Sequence, residues 1–259
     1  MSARRRVLFG KKDDWEPYIR ANLDTERYDC LFADFREADF RNFDLIAPLT
    51  LNDYPVLDER AAAARGRALY PPAAVVALCH DKLRFNQVMG AGPFAWTIPP
   101  LLDEAPPAFP FIIKRREDEF GAHAHLVADG DDLIRLQPLL GDAKFFAQTY
   151  VVGDRELATH LLIKDGIIQY HSNVVYEMGA SMYVKNRQFR QKKLLTNHDD
   201  SQNALFSAIL GRLGYRDGTC CFNYKLSSGT VQIFEINPRF GGSLNQDINA
   251  YLRAYERAV

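Results

Sequence analysis

The chain has 259 residues, 47% hydrophobic and 25% charged, with 32 Lys and Arg against 33 Asp and Glu for a formal net charge of −1. Such a chain can bury one large core or two small ones, and its balanced charge gives no electrostatic basis for nucleic acid as a partner. No apolar run reaches the ~18 residues of a membrane span, and the basic start MSARRRVLFGKK lacks the apolar stretch and cleavage site of a signal peptide. Cys30, Cys79, Cys220 and Cys221 show no metal-type spacing, and the adjacent pair makes poor disulfide geometry. Reduced thiols and a cytoplasmic location are expected.

Taken in order, residues 6–10 (RVLFG) read as a short buried strand and 15–23 as a helix with Asp13 or Asp14 as N-cap. Strands follow over 28–34 and 45–51. Strand, helix, strand at this spacing predicts a small α/β layer with a mostly parallel sheet. Residues 61–69 are helical by propensity, Pro71-Pro72 breaks the chain, and a helix runs from about Ala73 to Met89, closed by Gly90, Gly92 and Pro93. Pro99-Pro100 and Pro106-Pro107 punctuate a loop around Ala105. Residues 109–115 (FPFIIKR) form a strand, 117–121 a polar turn and 123–127 a returning strand, with a short helix over 131–137. Further strands span 145–152, 157–163 and 166–175. An amphipathic helix covers 199–213 and is closed by Gly214. The chain then makes a hairpin of 220–226 and 230–236 around Ser227-Ser228-Gly229. No internal repeat or low-complexity tract interrupts this order.

The hairpin runs into VQIFEINPRFGGS, residues 231–243. Side chains alternate across a strand, so Glu235 and Asn237 share a face while Phe234 and Ile236 point to the core. On the partner strand Cys221, Asn223 and Lys225 share a face, opposite Phe222 and Tyr224. Asn223, Glu235 and Asn237 can thus converge as oxygen ligands for a hard cation such as Mg2+. Arg239 can grip a phosphoryl oxygen in two-pronged fashion, and Gly241-Gly242-Ser243 offers unshielded backbone N–H groups. From spacing alone the plainer reading is a strand-end surface acid, with Asn237-Pro238 opening a turn and Arg239 pairing with Glu235.

The stretch IFEINPRFGGS resembles the metal-binding signature of ATP-grasp enzymes. Upstream, Cys79-His80-Asp81-Lys82 resembles the family's helix ahead of the lid, and Phe111-Ile112-Ile113-Lys114 the lid strand bearing a phosphate-binding lysine. Gln148-Thr149-Tyr150-Val151, with Gly153 and Glu156, is similar to the hinge strand that contacts adenine and the acid that holds ribose. GTCCFN, residues 218–223, is similar to the strand carrying the first metal ligand. The resemblance covers about Ala73 to Asn249, and the order of the motifs carries it.

It implies an α/β (α+β) ATP-grasp fold: a small N-terminal α/β domain over 1–78, a lid subdomain over 79–147 and a C-terminal antiparallel-sheet subdomain over 148–259. It implies ATP and Mg2+, two ions, as cofactors. Lys114 and Lys82 would meet phosphates, and Gln148, Tyr150 and Val151 would line the hinge, the last two with backbone bonds to adenine. Glu156 would accept from ribose. Glu235 would bridge the two ions, Asn237 would hold one and Asn223 would take the remaining ligand place. Arg239 would stabilise the transferring γ-phosphoryl group. The implied reaction is ligation of a small-molecule or peptide carboxylate to an amine through an acylphosphate. An ATP-grasp kinase acting on a hydroxyl and a nucleotide-binding module without turnover remain the alternatives.

The chain departs from the pattern at three points. The loop 115–123 (RREDEFGAH) holds one glycine where the lid loop is usually glycine-rich, so Arg115, Arg116 or His123 could replace backbone contacts with charge. Thr149 stands where an acid is common, and Asn223 is a neutral ligand. Lys185, Arg187 and Arg190 could bind an anionic substrate, with a solvated helix face the plainer reading. His160 reads as a packed histidine. Gly10-Lys11-Lys12 ends the first strand without a dinucleotide-binding glycine pattern. Oligomeric state and substrate identity are not written in these motifs.

Overall fold

Val7, Leu8 and Phe9 are fully buried because β1 (Arg5–Gly10) is the middle strand of a parallel sheet, between β2 (Tyr28–Ala33) and β3 (Leu45–Ala47). Val7 and Phe9 enter one apolar cluster and Leu8 the opposite one, as alternation requires. The structure is a computed structural model that describes residues 3–102, 108–119, 121–186, 189 and 191–259. Ala105, Pro106-Pro107, Phe120, Arg187 and Arg190 lie outside the described residues.

The expected parallel α/β layer is present, with α1 (Glu16–Asn22) after β1. The strand expected to Leu51 ends at Ala47, and α2 (Asp53–Glu59) follows, burying Tyr54, Val56 and Leu57. The helix expected over 61–69 shrinks to α3 (Ala61–Ala64). The helix expected from Ala73 to Met89 is two, α4 (Ala73–His80) and α5 (Lys82–Gly90). Asp81 breaks it with an extended backbone, and its carboxylate accepts from Arg84 N at 3.2 Å, capping α5.

A second sheet has the order β4-β7-β5-β6, built from β4 (Leu101–Leu102), β5 (Phe111–Arg115), β6 (Ala124–Val127) and β7 (Phe145–Thr149). One face is covered by α6 (Gly130–Leu140), which closes a cluster around Phe111, Ile113 and Leu136. A third, antiparallel sheet follows. Its strands are β8 (Arg155–Lys164), β9 (Ile167–Glu177), β10 (Lys193–Asn197), β11 (Gly218–Ser227) and β12 (Thr230–Asn237), in the order β10-β9-β8-β11-β12. The β8–β9 turn takes positive φ at Asp165 and Gly166, the geometry that matches strand twist. The third sheet packs on α4, α5 and α7 (Asn203–Leu213) through Val75, Phe85, Phe206 and Phe222.

The chain ends in α8 (Ile248–Ala258), which the sequence reading did not anticipate. Its Ile248, Tyr251, Leu252 and Tyr255 stripe packs against Val7, Phe9, Trp15 and Ile19, and Glu256 pairs with Arg5 and Arg27 at 2.9 and 2.7 Å. The C-terminal helix therefore clamps the first sheet onto the third.

Gly10 closes β1 against a buried acid: a Cβ there would lie 2.1 Å from Asp53 Oδ2. That oxygen accepts from Leu49 N and Thr50 N, each at 2.8 Å. Gly10→Ala must push the carboxylate off both donors and is expected to cost about 2 kcal/mol, read as a lower urea midpoint with unchanged slope.

Candidate functional site

Between the second and third sheets and α1 lies a cleft of about 1090 Å³. Its lining includes Lys82, Lys114, Gln148, Tyr150, Val151, Glu156, Asn223, Glu235, Asn237 and Arg239. All ten residues singled out from the sequence therefore meet at one place, though they come from distant parts of the chain.

β12 enters the cleft with a bulge. Asn223 pairs with Glu235 and Tyr224 with Ile233, so Phe234 is the extra residue. Ile233 and Ile236 stay in the core, while Glu235 and Asn237 face the cleft. The expectation that Phe234 shares the core face fails, because the bulge turns it into the cleft, where Lys114 Nζ stands 5.3 Å from its ring. Cys221, Asn223 and Lys225 line the cleft and Phe222 and Tyr224 the core, as alternation predicts.

Glu235 is the hub. Its Oε1 accepts from Asn223 Nδ2 and Asn237 Nδ2, both at 2.9 Å, and its Oε2 lies 3.3 Å from Lys82 Nζ. Burial pushes its pKa up, but Lys82, the two amides and Lys114 outweigh that and bring it to about 2, so the carboxylate stays ionised. The plainer turn reading, with Arg239 as partner of Glu235, is overturned: Arg239 donates to Phe240 O at 3.2 Å and lies 3.9 Å from Glu119. As a donor set for a divalent ion, one carboxylate and two carboxamides fit a hard cation. Among the described residues no group of three His, Cys, Asp or Glu could hold a metal, so the two carboxamides would be part of any such donor set.

Lys114 Nζ donates to Gln148 Oε1 at 2.7 Å, and Gln148 Nε2 donates to Asn86 Oδ1 and Pro99 O at 2.6 and 2.7 Å. Gln148 is 0% exposed, so its amide is spent on aiming the lysine. Burial pulls Lys114 down to about 8, with Glu235 opposing and Lys82 adding to the fall.

The loop 115–123 is tied down by side chains. Lys82 Nζ donates to Asp118 O at 2.6 Å, Asp118 accepts from His123 N and pairs with His123 Nδ1, both at 2.9 Å, and Arg116 pairs with Asp81. Arg116 and His123 are thus engaged away from the cleft, and of the three basic candidates Arg115 alone lines it.

Glu156 is 8% exposed and ion-paired with Lys185 Nζ, which also stands 3.9 Å from the Tyr176 ring centroid. Burial pulls the Lys185 ammonium down, yet Glu156 and Tyr176 reverse this and its pKa is raised. The solvated helix face read for this segment is not what forms, since Tyr183–Asn186 is irregular chain along the cleft. The hinge is held from below: Lys225 Nζ donates to Val151 O and Gly153 O at 2.9 and 2.8 Å, and Tyr150 Oη exchanges hydrogen bonds with Tyr183 O and N, each at 2.7 Å.

Gly241 and Gly242 are set by close approach. A Cβ at Gly241 would lie 2.4 Å from His160 Cε1, and one at Gly242 3.1 Å from Trp15 Nε1. His160 is buried as expected, bonds Ser243 Oγ at 2.8 Å, and is pushed to about 3 by burial and Lys185, hence neutral. The sequence reading missed Trp15 and Tyr18 as cleft walls. It gave Lys225 a face but no role, and that shared face with Asn223 was the available signal.

No protein-family model matches the chain, and no curated protein matches it either. Solved structures match along nearly its whole length. The D-alanine–D-alanine ligase from Bacillus anthracis is similar with a TM-score of 0.65 at 13% identity, over 99% of this chain and 97% of that one. The same ligase complexed with ATP gives 0.57 at 13% identity, over 99% of each chain. The L-amino acid ligase from Bacillus licheniformis gives 0.61 at 15% identity, over 95% of this chain and 70% of that one. The chain has the ATP-grasp fold, a mixed α/β architecture of several sheets.

Proposed function

We propose that the protein is an ATP-dependent ligase that activates a substrate carboxylate as an acylphosphate and joins it to an amine of a small molecule or peptide. One observation carries this reading: the cations Lys82, Lys114 and Arg239 and the oxygen donors around Glu235 line the same cleft as the hinge 148–151. The similarity to two ligases, one of them complexed with ATP, supports it. In this reading residues 79–147 act as lid, between an N-terminal domain over 1–78 and a C-terminal subdomain over 148–259.

The tyrosine-flanked hinge would take the adenine, and Lys114 and Lys82 would neutralise phosphate charge. Glu156 would accept from ribose once Lys185 is displaced. Glu235, Asn237 and Asn223 would hold Mg2+, two ions, which when bound supply charge neutralisation between the β- and γ-phosphates. Arg239 would steady the γ-phosphoryl group while a carboxylate oxygen attacks phosphorus and ADP leaves. The amine then attacks the acyl carbon, the C–O bond to phosphate breaks, and the nitrogen loses its proton.

The test is to incubate the protein with ATP, Mg2+ and pooled carboxylates and amines, following ADP and phosphate. Free phosphate that requires both substrate classes is the expected result. ADP with a phosphorylated product and no free phosphate would replace the ligase with a kinase. Nucleotide binding without turnover across the panel would leave a binding module.

No helix among the described residues is long and apolar enough to cross a membrane.

A further inference from the structure

Lys225 lies where β11 passes beneath the hinge, and its chemistry bears on which nucleotide the cleft takes. This inference rests on the nucleotide reading above. The residue is 2% exposed and lines the cleft. Its ammonium donates to Val151 O at 2.9 Å and Gly153 O at 2.8 Å, and it stands 4.2 Å from the ring centroid of Tyr183 and 5.1 Å from that of Tyr150. Burying an ammonium here is costly, and desolvation pulls its pKa to about 8 although Glu156 and Asp154 oppose the fall. An ammonium carries three N–H donors. Two reach the hinge carbonyls, and the third has no acceptor among the described residues. Tyr183 Oη, on the same cleft wall, is buried and likewise without a partner.

These groups present donors to a base edge. A 6-amino group and the N1–H of a 6-oxopurine both donate, and each of the carbonyls of Val151 and Gly153, though already accepting from Lys225, keeps a second lone pair for either. A 6-oxo group can only accept, which suits the spare N–H of the ammonium. Thr149, exposed on the cleft at the end of β7, carries a hydroxyl that donates and accepts and so selects neither. The ring nitrogens of adenine also accept, so the arrangement does not reject ATP.

We infer that Lys225 reads the edge of the nucleobase and that the cleft takes 6-oxopurine nucleoside triphosphates, GTP and ITP, as readily as ATP. A spare N–H beside spare carbonyl lone pairs makes the site permissive at the base, while selection falls on the phosphates and metal.

Calorimetric titration of the full chain with the Mg2+ complexes of the β,γ-imido analogues of ATP and GTP tests this. The native protein is expected to bind the two within tenfold of each other. Lys225→Met should weaken the GTP analogue at least tenfold more than the ATP analogue. Thr149→Glu, at an exposed position, adds an anionic acceptor and should make the ATP analogue the tighter ligand by at least tenfold. Native rejection of the GTP analogue by more than tenfold overturns the inference. So does equal weakening of both analogues by Lys225→Met, which would leave Lys225 a hinge staple. Should Lys225→Met not fold, the native comparison and Thr149→Glu decide. If neither analogue binds the native protein, the nucleotide reading itself falls and this inference with it.

Discussion

Glu235→Gln is expected to lower ATP turnover by about 10²–10³-fold and to remove most of the Mg2+ dependence of nucleotide binding. The change is nearly isosteric. Asn223 and Asn237 can still donate to the retained carbonyl oxygen, so the bulge and the strand pairing should persist, and circular dichroism should be unchanged. What is lost is the charge. Glu235 opposes Lys82 at 3.3 Å and is the largest favourable influence on the Lys114 ammonium. Without it Lys82 and Lys114 lose the anion that offsets both charges. Nucleotide alone, already polyanionic, would then bind as well as or better than before, whereas the increment from Mg2+ would collapse. Titrating Mg2+ at fixed ATP separates the two effects. Turnover that persists unchanged at saturating Mg2+ would sink the metal assignment.

The clustering of the candidate site residues was more legible in the sequence than parts of the fold, and the reason is local chemistry. Glu235 and Asn237 are two residues apart on a strand, and Asn223 sits across a tight hairpin, so alternation alone brings the three together. Phe234 was misplaced because a bulge adds one residue to one strand and breaks that alternation, and nothing in IFEIN announces it. The split at Asp81 has the opposite character. Asp is a strong N-cap, and its presence inside an apolar run was a readable stop signal that helical propensity on both sides concealed. α8 was readable too: Ile248, Tyr251, Leu252 and Tyr255 fall at i, i+3, i+4 and i+7. The Lys185–Glu156 pair was beyond reach, since the two residues are 29 positions apart and meet through tertiary folding of irregular chain. The same holds for Lys225 and the hinge, where a lysine's identity says nothing about which carbonyls it finds.

Lys114→Met is expected to weaken nucleotide binding by about 10²-fold and to flatten its pH dependence. In the free protein burial holds Lys114 at about 8, below its ordinary 10.5. Its charged form therefore destabilises the fold at all pH values below about 8. The penalty fades between about 8 and 10.5, as the folded protein sheds a proton that the unfolded chain retains. A polyphosphate beside the ammonium reverses the balance by favouring the charged form. Binding then takes up a proton above pH 8, and affinity, full below that value, falls as pH rises by at most about tenfold per pH unit for this lysine. Lys225, also held at about 8, leaves a shallower residual slope in the Lys114→Met protein. Calorimetry in buffers of differing ionisation enthalpy reads the proton uptake directly. Native affinity that stays flat through this range, with no proton taken up, would mean that Lys114 does not meet phosphate, because a depressed lysine that gains an anionic partner must recover its proton.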